Sequence, residues 1–206
     1  MWKVFFFLIV LLVICLNQPL KEYLFVEGYE EVYNSNSIKE HDELKNIYGE
    51  KLKQCRIEHK PENIGLWSND GFCDEMDGGV HQICVEVNKT DNFSVNTGQG
   101  IWSEKRKDKN HCMCLGAWAL YKARQDKGET NKTSDELKCE SIPETALNPR
   151  YINKWSTWNG NELPNQIING VNAIYEQCGK QANVEQKVYL DKLYHNLYDN
   201  IKNLIN

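Results

Sequence analysis

The 206-residue chain is long enough for one domain with a real core and short for two. Its 24 Lys and Arg against 29 Asp and Glu give a net charge of -5 and a pI near 5.6, which exclude a general attraction to phosphate. Lys105-Arg106-Lys107-Asp108-Lys109 is the one basic cluster, and no nucleic-acid partner is expected.

The N-terminus reads as a targeting sequence. Met1-Trp2-Lys3 precedes Val4 to Leu16, an uncharged apolar run containing Phe5-Phe6-Phe7. A helix of that length rises roughly 20 Å, short of the about 30 Å of bilayer hydrocarbon, which suits a signal peptide. No Ala-x-Ala-like pair follows, and Val13 and Cys15 ahead of Leu16 offer the best cleavage site, which suits an uncleaved signal anchor equally. Both options place the remainder in the lumen or outside the cell. The membrane is a partner only if the segment is retained. Residues 1–20 are taken as this leader and residues 21–44 as a charged spacer with Asn34-Ser35-Asn36-Ser37 in its middle. His41-Asp42-Glu43-Leu44 copies a retrieval tetrapeptide, but such signals are read only at the C-terminus.

The domain proper is taken as residues 45–180. It opens with Asn46-Ile47-Tyr48-Gly49-Glu50-Lys51-Leu52-Lys53-Gln54-Cys55, followed by a block rich in Gly and Asp from Gly65 to Cys84. A short strand is predicted from Ile83 to Val87, and a polar loop from Phe93 to Lys109. Next comes the Cys112-Met113-Cys114 pair, running into a helix from about Cys114 to Lys127: Cys114, Ala117, Trp118 and Tyr121 share a face and Gly128 is the stop. Leu137 to Ile142 alternates like a strand, and Trp155 and Trp158 sit in a Pro-bounded loop. From Pro164 the residues Ile167, Ile168, Val171, Ile174, Tyr175 and Cys178 define a helix face ending at Gly179. Residues 181–206 hold a last amphipathic helix, Glu185 to Ile205, with an apolar seam of Leu190, Tyr194, Leu197, Ile201 and Leu204 widened by Leu193, Tyr198 and Ile205. Packing on the domain and docking on a protein partner are the two fates weighed for that seam. Position after the main domain suggests that truncation after Gln181 leaves a folded domain and weakens an assembly contact.

Four groups of these residues together resemble a small bacterial family known as domain of unknown function 2237. They are Asn46, Gly49, Leu52 and Cys55; Gly65, Asp70, Gly71 and Cys73; Asp77, Gly79, His81 and Cys84; and Cys112, Cys114 and Trp118. The resemblance spans roughly Asn46 to Ala146. It implies a compact two-layer α+β domain with short strands and Cys-rich loops, here extended by the C-terminal helix, and it brings no activity with it. His111 replaces the family's aromatic, and the Phe93 to Lys109 loop lacks its Asn-Asp-Leu and Pro-rich segment, so the resemblance carries over no pocket built from that segment. Cys139 and Cys178 lie outside the five cysteines of the shared pattern, and on that ground they are expected to pair.

Eight cysteines, less Cys15 in the leader, leave seven: Cys55, Cys73, Cys84, Cys112, Cys114, Cys139 and Cys178. In an oxidising compartment these are first of all disulfide candidates, with one left over. Cys112 and Cys114 are too close to favour each other and are expected to reach two different partners among the Cys55, Cys73 and Cys84 loops. A metal site would draw on His81, His111, Cys73, Cys84, Cys112 and Cys114, with Asp70, Asp74 and Asp77 as hard ligands, but Cys-x-Cys is not a zinc-knuckle spacing. A cysteine nucleophile would need His81 or His111 as base, and each reads more simply as solvated or capping. Hence no catalytic residue, metal or cofactor is assigned. Asn88-Lys89-Thr90, Asn92-Phe93-Ser94 and Asn131-Lys132-Thr133 are glycosylation sequons in polar loops. The function expected is that of a non-catalytic, disulfide-stabilised extracytoplasmic domain with a structural or binding role, including as part of a membrane-associated or virion assembly. The competing class is a thiol- or metal-dependent enzyme.

Overall fold

Two strands, β1 (Ile83–Glu86) and β2 (Asn110–Met113), pair antiparallel with Ile83 opposite Met113, Cys84 opposite Cys112, Val85 opposite His111 and Glu86 opposite Asn110. The computed structural model describes residues 44–56, 71–73, 81–149, 157–158, 161–162 and 164–205. The leader, the spacer up to Glu43, Gly65, Asp70, the acidic block with Asp74, Asp77 and Gly79, and Trp155 lie outside the described residues. The domain is α+β, and one core joins β1 and β2 to its helices.

The other edge of β1 is met by Glu136 to Lys138. Glu86 N–H donates to the Glu136 carbonyl at 2.6 Å and Lys138 N–H to that of Cys84 at 3.0 Å. The strand expected from Leu137 to Ile142 shrinks to this bridge, because Cys139–Ser141 wind into a 3-10 turn that brings Cys139 to its disulfide partner. Residues 44–56 strap across the same segment: Ile47 N–H reaches the Ile142 carbonyl at 3.0 Å and Lys53 N–H that of Glu140 at 3.0 Å.

The long β1–β2 connection is not the plain polar loop expected. It contains a single turn of helix, α1 (Phe93–Asn96), which drives Phe93 into the core against Tyr121 with ring centroids 4.9 Å apart. Buried Ser94 and Ser103 clasp it shut, each hydroxyl accepting from the other's backbone N–H at 3.0–3.1 Å. Polar composition here serves internal hydrogen bonds, which buried polar groups require.

α2 (Leu115–Asp126) follows β2 directly and is the central element. Leu115 through Ala123 are all buried, as expected of a helix enclosed on nearly every side. Cys114 is its N-cap, with Sγ accepting from Ala117 N–H at 3.4 Å, and Gly128 at φ +73° lies just past its end. α3 (Pro164–Gln181) lays the predicted face, Ile167, Val171, Ile174 and Cys178, on α2, and it runs past Gly179 for another two residues. The helices touch at Gly170, where a Cβ would stand 2.8 Å from Ala119 Cα, and Trp118 Nε1 donates to the Gly170 carbonyl at 3.0 Å. Between α2 and α3, the stretch read as a loop pairs as a tiny hairpin, β3 (Thr157–Trp158) with β4 (Asn161–Glu162).

α4 (Val184–Ile205) opens on a reciprocal cap in which Asn183 Oδ1 accepts from Gln186 N–H at 2.9 Å and Gln186 Oε1 accepts from Asn183 N–H at 3.0 Å. Its Leu190 and Leu197 are buried in the common core, while Tyr194 stacks on Tyr175 of α3 at 4.0 Å. Of the two fates weighed for the seam, packing on the domain is the one observed for Leu190, Leu193, Tyr194 and Leu197, while the side chains of Ile201, Leu204 and Ile205 lie outside the described residues. Tyr198, expected to widen the seam, faces outward instead. Among the described residues no helix is long and apolar enough to cross a membrane.

Candidate functional site

Among the described residues the cysteines divide between three closed bridges and one thiol. Cys55 is bonded to Cys84, Cys73 to Cys112, and Cys139 to Cys178, with Cα separations of 5.4–5.6 Å. The first two interlock along the chain and leave the β hairpin from directly opposed positions, Cys84 and Cys112, so that the sulfurs of Cys55, Cys73 and Cys112 lie within 4.8 Å of one another. The third ties the turn after Leu137 to α3, the pairing expected for the two cysteines outside the shared pattern. The expectation that Cys112 and Cys114 would both find partners holds only for Cys112. Cys114 is buried and outside the bridges, because the step from β2 into α2 points its sulfur at the helix's own first turn. For the metal pool, the sulfurs of Cys73, Cys84 and Cys112 are committed to bridges, and Asp70, Asp74 and Asp77 lie outside the described residues.

Several pattern residues have structural work. Asn46 is fully buried and its Oδ1 accepts from Tyr48 N–H at 2.9 Å and Glu50 N–H at 3.1 Å, shaping the turn in which Gly49 sits against the Tyr189 ring. Gly71 adopts φ +84° and its carbonyl accepts from both Cys55 and Arg56 N–H; a Cβ there would meet the Arg56 carbonyl oxygen at 2.0 Å.

A cavity of about 240 Å³ opens beside the Cys114 thiol, walled by Trp102, Arg106, His81, His111, Met113 and Cys114. His111 was read as solvated or capping, yet it is only 7% exposed: its place opposite Val85 sets it inside the hairpin, 4.6 Å from the Trp102 ring. Burial, with the charges of Arg106, His81 and Arg56 adding to it, pulls its pKa down to about 3, so the imidazole is neutral at physiological pH. Arg106 spans Trp102 at 5.6 Å, and burial followed by Arg56 lowers its pKa. The Phe93 to Lys109 loop, which lacks the family's Asn-Asp-Leu and Pro-rich segment, supplies three of the lining residues, Gln99, Trp102 and Arg106. The sequence signal was present in Trp102 and the basic cluster, but nothing local announced that the hairpin would bring His111 beside them.

A second buried polar cluster has no local signature in the sequence. Lys122 on α2 donates to both carboxylate oxygens of Glu136 at 2.9 and 3.0 Å and to Gln125 at 2.9 Å, and lies 4.5 Å from the Trp118 ring centroid. Glu136 also accepts from Gln177 of α3 at 2.7 Å and from Thr133. Every charge is met from several sides, and the cluster binds three elements together.

The sequon asparagines Asn88, Asn92 and Asn131 are all exposed. Asp91 draws the loops of Asn92 and Asn131 together, its carboxylate accepting from Thr130 Oγ1 at 2.8 Å and Asn131 N–H at 3.1 Å.

Fold and sulfur pattern define the class as a disulfide-stabilised α+β domain. No family model, curated protein or solved structure matches the chain.

Proposed function

We propose that this is a non-catalytic extracytoplasmic domain with a binding or structural role, working in a membrane-associated assembly, a virion included. The observation that carries the reading is the use of six cysteines in three bridges, which cytosolic thiol buffers would keep open and a secretory compartment would close. The N-terminal apolar run supplies the route. Exposure of Asn88, Asn92 and Asn131 supports glycan attachment there, and two of the three lie on loops that meet. Kinship with domain of unknown function 2237 belongs to the same proposal, supported by the structural duties of Asn46, Gly49, Gly71 and the bridged cysteines. For a protein partner, the apolar side chains that α4 leaves outside are Val184, Val188 and Tyr198, exposed by 82%, 66% and 43%.

Mass spectrometry of the unreduced, secreted protein tests this. Three bridges at the observed pairs and one alkylatable thiol at Cys114 are expected, whereas mostly alkylatable cysteines would overturn it. A thiol enzyme is the second reading, favoured by the unbridged Cys114 beside a cavity. Against it, the sulfur is engaged by the Ala117 amide, where it serves as a helix cap.

A further inference from the structure

The cavity beside β2 has a polarity of its own in an acidic protein. Among the described residues the Arg106 guanidinium has no carboxylate partner and neither ring nitrogen of His111 has a hydrogen-bond partner, although His111 is nine-tenths buried. The groups that act on His111 electrostatically are Arg106, His81 and Arg56, all basic. The first turn of α2, the positive end of a twelve-residue helix, meets the cavity at Cys114 and Ala117. Trp102, packed against both His111 and Arg106, and Met113 add apolar wall. A part-buried guanidinium fork without a counter-charge among the described residues is suited to a carboxylate, to which it donates two parallel hydrogen bonds. One such fork beside a neutral imidazole matches a single negative charge better than a dianion. The volume of about 240 Å³ falls below the roughly 300 Å³ at which pockets begin to hold drug-sized molecules, so the occupant is small.

We propose that this cavity binds a small organic monocarboxylate with an apolar, flat body, its carboxylate on Arg106 and His111 and its body between Trp102 and Met113. Nothing covalent is involved; Cys114 lines the site and reports on it.

Benzoate is the probe, benzamide its uncharged isostere and acetate the anion without a body. Saturation-transfer NMR on the full, oxidised chain is expected to show saturable benzoate binding, weaker by about tenfold or more for benzamide and for acetate. Arg106→Gln should weaken benzoate by at least about tenfold and lower the melting temperature by no more than about 4 °C, because the side chain is part-exposed and, beyond its place over the Trp102 ring, holds no ion pair among the described residues. Arg106→Lys keeps the charge without the fork, and should fall between the two. Bound benzoate should also slow alkylation of Cys114 by iodoacetamide, read on its own peptide. Equal binding of benzamide, indifference to Arg106→Gln, or no saturable binding by about 10 mM benzoate would each overturn the proposal. The bridge count decides the extracytoplasmic reading separately, so either proposal can fail without the other.

Discussion

His111 stands where strand pairing and site chemistry meet. Held neutral inside the hairpin, it takes a proton less readily when folded than when unfolded. Its folded pKa of about 3 lies below the ordinary 6.5. Between those values the unfolded chain therefore binds a proton that the folded chain does not, so stability is intact above about pH 6.5 and falls as the pH drops through the window, by up to about 1.4 kcal/mol per unit. Urea titrations from pH 7 to pH 4.5 should show a steeper loss for the parent than for His111→Phe, which removes this titration and leaves the carboxylates common to both. Parallel curves would show that the imidazole charges without penalty. Lys122, 5% exposed, solves the same problem by the opposite route. It stays paired with Glu136 inside the core, an arrangement in which losing one partner strands the other. Neither residue's burial was legible in the sequence: a histidine before Cys-x-Cys and a lysine in an amphipathic-looking helix read as solvated, and only the approach of Glu136 from a distant segment makes burial of Lys122 tolerable.

At the scale of elements, helices were easier to read than strands. The faces of α2 and α3 follow from 3.6-residue periodicity, and their stops misjudge by one or two residues because capping is local and weakly coded. β2 was invisible as a strand. Asn-His-Cys-Met neither alternates nor contains a β-branched residue, and it is fixed by cross-strand partners and a disulfide. The site inherits that blindness, since it exists only once β2 is paired. For α4 the amphipathic pattern was plain, but its partner was not. Leu190 and Leu197 are buried with Tyr194 stacked on α3, and each buried leucine contributes on the order of 1.5–3 kcal/mol. Against the expectation drawn from chain position alone, truncation after Gln181 should lose on the order of 5 kcal/mol, and the product should secrete poorly or melt far below the full chain. Leu197→Ala offers a milder test, with a loss of about 2–5 kcal/mol. A truncated protein with the parent's melting temperature would restore the view of α4 as an appendage.

Across the whole molecule, the bridges and the core divide the labour unevenly. The interlocked pair, Cys55–Cys84 and Cys73–Cys112, fastens the residues around the β hairpin, where strands are short and loops long. Cys139–Cys178 instead joins two parts that the core already unites: Glu136 and Gln177 bond directly, Tyr48 Oη donates to the Cys178 carbonyl at 2.8 Å, and Leu137 shares the core with Ile174. This third bridge should therefore act mainly on the unfolded chain, by closing a loop of 39 residues, an effect of about 2–4 kcal/mol. Replacing both of its cysteines by serine is expected to lower the melting temperature by on the order of 10 °C and to leave one cooperative transition, because α3 and α4 remain packed on α2. Scanning calorimetry of the double variant measures both quantities. Two separated transitions would show that the helical half and the hairpin half are held together by the bridge rather than by the core.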